Sequence, residues 1–121
     1  MKKLVLKVIC YNWSDDYKLD WNEKHYLIYD DMSMDYYIVH INRTNEFNVL
    51  LTEKEYASLM RNIKIASKRK KPLDGSTGHG YEISWRNGEE IIWQNRLGYI
   101  DRDINQMRIV RLLKKIVFNR T

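Results

Sequence analysis

Residues 74 to 82 read DGSTGHGYE, with Gly75 and Gly80 at the first and sixth places of a phosphate-binding loop, G-x-x-x-x-G-K-[ST]. In such a loop the glycines let backbone amides approach the phosphate, a Lys reaches the terminal phosphates, and a Ser or Thr holds magnesium. Here Tyr81 stands in the lysine place and Glu82 in the hydroxyl place. The order of elements is also reversed. The motif should leave a strand and open a helix, whose N-terminus attracts the anion. This stretch leaves a basic segment and enters a strand-like run. Its glycines read as a turn or mobile connection, and no cofactor is expected.

The other reactive side chains are scattered. His25, His40 and His79 include no i, i+4 pair and no HExxH, so they lack helical metal-ligand spacing. Cys10 falls on the apolar side of a strand-like run, whereas a reactive thiol needs an accessible, electropositive setting. The neighbours Asp15-Asp16, Asp30-Asp31 and Glu89-Glu90 would point to opposite faces of a strand, which makes them poor acid/base couples. DDMSMD lacks the Gly and terminal Glu of a calcium loop. No catalytic or metal-binding set emerges, and the chain reads as non-enzymatic.

Two clusters stand out as binding surfaces. Residues 11 to 37 hold eight of the fifteen aromatics among seven acids. Tyr and Trp provide large contact area at small entropic cost, and acids beside them would steer a basic partner. The residues placed in this surface are Asp15, Asp16, Tyr17, Trp21, Asp30 and Asp31. The competing reading puts the rings of Tyr26, Tyr29 and Tyr37 in a sheet core. The second cluster is basic: Lys68, Arg69, Lys70 and Lys71, with Arg108, Arg111 and Lys115 on one side of a C-terminal helix. Such a surface would track a phosphate backbone. Base stacking would also need aromatics, and residues 67 to 80 contain none.

These clusters must be held by a small domain. The chain has 121 residues, 44% hydrophobic, with net charge +5, which suits one domain with a core. The charge is uneven: −5 over residues 11 to 40, +5 over 53 to 71, +4 over 101 to 121. Leu4, Leu6, Val8 and Cys10 alternate with polar Lys3 and Lys7, as along a half-buried strand. HYLIY, YYIVHI and FNVLL read as further strands between turn-rich stretches. Thr52 to Glu55 fits a capping box, followed by the apolar stripe Tyr56, Leu59, Met60 and Ile63. YEISWRNGEEIIW reads as a hairpin with Gly88 left-handed, its three-residue loop pairing Ile83 with Ile91 and Tyr81 with Trp93. A last helix starts after Asp101 or Asp103, with Asp103 and Gln106 as a capping pair and Ile109, Leu112, Leu113 and Ile116 as its apolar stripe. The expected fold is α+β in the order β-β-β-β-α-β-β-α: a mostly antiparallel sheet with two helices packed on one face, and a flexible basic, Gly-rich loop at about 67–80.

A lone cysteine allows no intramolecular disulfide, which favours a reducing compartment. MKKLVLKVIC is a poor signal peptide, because Lys7 interrupts a short apolar run and no small-residue cleavage site follows. No stretch approaches the roughly 18 apolar residues of a membrane span. A cytoplasmic location is expected.

The run FNVLLTEKEYASLM, then Asp74-Gly75, YEISWRNGEEIIW and IVRLLKKI, over about residues 46 to 118, resembles the emfourin-like family of small protease-inhibitor proteins and is similar to many small uncharacterised bacterial proteins. The acidic, aromatic N-terminal part has no counterpart in that pattern. The resemblance implies a non-enzymatic protein that binds another protein, and it assigns no binding residue. The expected function is inhibition of a partner protein, of the immunity type or the phage anti-defence type. A nucleic-acid-binding module using the basic loop and last helix is the alternative.

Overall fold

A computed structural model describes residues 2–12, 22–40, 43–68, 79–95 and 103–120. In chain order the elements are β1 (Leu4–Asn12), β2 (Asn22–Tyr29), β3 (Ser33–His40), β4 (Arg43–Leu50), α1 (Glu53–Ala66), β5 (His79–Asn87), β6 (Glu90–Asn95) and α2 (Ile104–Arg120). Among the described residues the six strands form one sheet in the order β4-β3-β2-β1-β5-β6. Every neighbouring pair is antiparallel. This is the expected α+β class.

The central place of β1 lines up side chains in rows across five strands. One face carries Ile83, Val8, Tyr26, Tyr36 and Phe47, and beside them Trp85, Leu6, Ile28, Met34 and Val49. Leu59, Ile63, Ile109 and Leu113 from the two helices are fully buried with this face in a single apolar core. Each such side chain withdrawn from water contributes about 1.5–3 kcal/mol. Tyr26 and Tyr36 do belong to this core, with ring centroids 5.0 Å apart. Tyr29 and Tyr37 do not, because the two-residue period puts them on the opposite face.

The alternation expected at the start of β1 is broken by a bulge between Leu4 and Leu6. The extra residue shifts the side-chain phase, so Val5 rather than Leu4 packs against the core. The β5–β6 register also differs from expectation. Trp85 pairs with Trp93, Asn87 with Glu90, and Ile83 with Asn95. Gly88 is left-handed as expected (φ 68), but it is the first central residue of a two-residue turn, the place that a II′ hairpin gives to glycine. A bulge between Trp85 and Arg86 then absorbs one residue of β6, and Ile91 is left half exposed. Sequence alone could not locate that bulge, because Trp93 reaches the core face only through it.

Thr52 caps α1 with a complete capping box. The Glu55 amide donates to Thr52 Oγ1 at 3.1 Å and the Thr52 amide donates to Glu55 Oε1 at 2.9 Å. Asp103 caps α2 by accepting from the amides of Asn105 and Gln106 at 2.9 and 3.1 Å. The Gln106 side chain accepts from Asn95 Nδ2 at 2.7 Å, which ties the start of α2 to the end of β6. The helices run antiparallel. Asn105 Nδ2 donates to Asn62 Oδ1 at 3.0 Å at one end, and Arg120 Nη2 holds both Glu55 oxygens at 2.9 Å at the other. Among the described residues no helix is long and apolar enough to cross a membrane.

Candidate functional site

The second face of the sheet mixes carboxylates with aromatic and apolar side chains. Register places Glu82, Ile9, His25, Tyr37 and Glu46 in one row, and Ser84, Lys7, Leu27, Asp35 and Asn48 in the next. At the centre, Ile9 and Ser84 are buried. Toward β3 and β4 the face opens: Leu27, Asp35, Tyr37 and Val39 are half-buried, and Glu46 and Asn48 are exposed.

Within this face, Glu23 Oε1 meets His25 Nε2 at 3.0 Å, and the His25 ring stacks on Tyr37 with centroids 4.5 Å apart. Burial first, then the Glu23 and Glu46 carboxylates, raise the pKa of the Tyr37 phenol. Burial first, then Asp35, do the same for Tyr29. Both phenols therefore stay protonated beside carboxylates, as hydrogen-bond donors flanked by acceptors. The Glu23–His25 pair has the form of an acid orienting a base. Its ring is mostly buried, however, and Cys10 packs in the core on the other face. Glu23 thus contacts the same imidazole that stacks on Tyr37.

Of the acidic-aromatic residues expected to bind a partner, Asp15, Asp16, Tyr17 and Trp21 lie outside the described residues. Asp30 and Asp31 are exposed in the β2–β3 turn. Both carboxylates are engaged, Asp30 with the segment before β1 and Asp31 within the turn. Asp30 Oδ1 accepts from the Lys3 amide at 2.9 Å, and Asp31 Oδ1 accepts from the amide and hydroxyl of Ser33 at 3.0 and 2.6 Å. The turn adjoins Tyr29 and Asp35, so it extends the acidic flank of β2, β3 and β4. That flank was only half legible. The alternation of residues 33 to 40 separates Tyr36 from Tyr37, but the phase relative to the core had to come from the register.

The opposite layer is basic. The span Glu53–Lys68 carries Lys54, Arg61, Lys64 and Lys68 against Glu53 and Glu55, and α2 carries Arg108, Arg111, Lys114, Lys115 and Arg120 against no acid. Arg108, Arg111 and Lys115 are exposed on one side of α2, and Lys68 is exposed just past α1. Arg69, Lys70 and Lys71, like most of the loop at 67–80, lie outside the described residues. Among the described residues, Glu82, Asp35 and Glu46 lie on the second face together with Lys7, and the helical layer carries an excess of bases. Sequence reasoning missed Phe118, which is 83% exposed on the same side of α2 as the three bases. Its signal was present, because Phe118 follows Lys115 by three residues, a helical neighbour.

Of the stretch 74 to 82, residues 74 to 78 lie outside the described residues. Gly80, Tyr81 and Glu82 are residues of strand β5, so no helix opens after them. Among the described residues, no three of His, Cys, Asp and Glu gather in a way that could hold a metal ion. Comparison with protein-family models, curated proteins and solved structures finds no match to this chain.

Proposed function

We propose that this chain is a small non-enzymatic protein that binds and blocks another, basic protein through the acidic-aromatic flank of its sheet. An immunity protein, or a phage-type inhibitor of a bacterial defence enzyme acting in the cytoplasm, fits that description. The observation that carries the reading is the flank itself. Asp35 pairs with Leu27 and Glu46 with Tyr37 on the second face, and Asp30 and Asp31 stand in the turn just after Tyr29, whose ring carries Lys2 Nζ at 4.3 Å. Aromatic anchors flanked by carboxylates suit a partner of opposite charge: the rings give contact area, and the carboxylates speed and orient the encounter. The resemblance of residues 46 to 118 to small protease-inhibitor proteins supports protein binding and assigns no residue of the flank.

The test is capture of partners on the immobilised chain, identification by mass spectrometry, and titration of the purified partner. Asp35→Lys with Glu46→Lys should slow association at least tenfold and weaken its salt dependence, while the fold is retained. A genuine partner whose affinity is unchanged by this pair, and lost instead with Arg111→Glu, would refute the assignment.

A further inference from the structure

The helical layer carries a feature that the acidic flank does not use. Ile104, Arg108, Arg111, Lys115 and Phe118 are all exposed, and their spacing of four, three, four and three residues sets them on one line along α2. None of the three bases pairs with a carboxylate among the described residues. Beside Lys115, α1 and α2 enclose a groove of about 330 Å³. Lys54 and Lys115 stand at this groove with Ser58 and Asn119, and Leu112 and Ile116 supply apolar lining. The acid that lines it, Glu55, is already held by both its oxygens to Arg120.

We infer that this face binds single-stranded nucleic acid. The bases along α2 suit successive phosphates, and counterion release there would drive binding. The groove offers one nucleotide the cations Lys54 and Lys115, the apolar Leu112 and Ile116, and the hydrogen-bonding Ser58 and Asn119, beside a Glu55 carboxylate paired with Arg120. Phe118, 83% exposed, gives the next base a ring to stack on, since every base has a π-face. An anionic membrane surface fits less well. A helix lying in a bilayer interface presents a continuous apolar face, whereas here three cations separate Ile104 from Phe118. A duplex would use the bases but would leave Phe118 without an unstacked base.

The experiment is fluorescence anisotropy of the full chain with labelled 12-nucleotide dT and U strands, a 12-base-pair duplex, and phosphatidylserine vesicles, between 50 and 200 mM salt. The single strands should bind most tightly. Arg108→Ala/Arg111→Ala/Lys115→Ala should lower the salt slope by about 2, since each single-strand phosphate contact contributes about 0.7. Phe118→Ala should cut single-strand affinity about 5- to 150-fold and leave the slope unchanged. All four side chains are exposed, so far-UV circular dichroism should show intact folds. No binding at 50 mM salt, an unaffected Phe118→Ala variant, equal affinity for duplex, or preference for vesicles would each overturn the proposal.

Discussion

Replacing Asn105 by Ala should cost this small domain a large share of its stability. Asn105 and Asn62 are only 5% and 6% exposed, and Asn105 Nδ2 donates to Asn62 Oδ1 at 3.0 Å across the two helices. Asn62 Nδ2 keeps its own partner, the Ser58 carbonyl at 2.8 Å. Removal of Asn105 therefore orphans one buried acceptor. That costs about 1–3 kcal/mol, because water cannot replace the lost donor. With a urea slope of about 1–3 kcal/mol/M, the unfolding midpoint should fall by about 1 M. Trp85 and Trp93 pack against the core, so intrinsic fluorescence reports the transition. The double variant Asn62→Leu/Asn105→Leu removes donor and acceptor together and should lie within about 1 kcal/mol of wild type. A cost under about 0.5 kcal/mol for Asn105→Ala would mean that water reaches the pair and would refute a buried, orphaned acceptor. A double variant that loses as much as the two single leucine variants combined would likewise show no coupling between Asn62 and Asn105.

Two further predictions follow from ionisation. Burial pushes the Cys10 thiol up to about 12, against the pull of Lys114 and Lys24. Iodoacetamide at pH 8 should therefore leave the native chain unlabelled and react fully in urea; rapid labelling of the folded protein would contradict the core placement. Burial opposes ionisation of Glu55, but hydrogen bonds from the Thr52 amide and Arg120 outweigh it and hold the carboxyl below its ordinary 4.5. A carboxyl with a depressed folded pKa contributes stability above its unfolded value and loses it as pH falls through the folded one. Wild type should thus lose stability below about pH 4.5 more steeply than Glu55→Gln, as read from urea midpoints at a series of pH values. Parallel curves would show that the Thr52 amide and Arg120 together give the carboxylate no net stabilisation in solution.

Much of the fold was readable because its causes are local. The Thr52–Glu55 box, the stripe from Tyr56 to Ile63 and the stripe from Ile109 to Ile116 depend on neighbours within one or two turns, and each appears as expected. The same holds for the exposure of Arg108, Arg111 and Lys115, which follows once the apolar side of α2 is known. Misreadings cluster at bulges. An extra residue near Leu4 and another opposite Trp85 change which side chain faces the core. A bulge has no side-chain signature when both phases offer apolar residues.

The sequence by itself determined the α+β class, the helix caps and the run of acids and bases along the chain. Tertiary structure alone decided that β1 lies between β2 and β5. Val8 thereby touches Tyr26 on one side and Ile83 on the other. That placement lines up Tyr37, His25 and Glu46 on one face and sets the antiparallel helices on the other. The physical reason is that a strand's period names its two faces but not its partners. Partners are selected by burial of residues far apart in the chain, which no local pattern encodes.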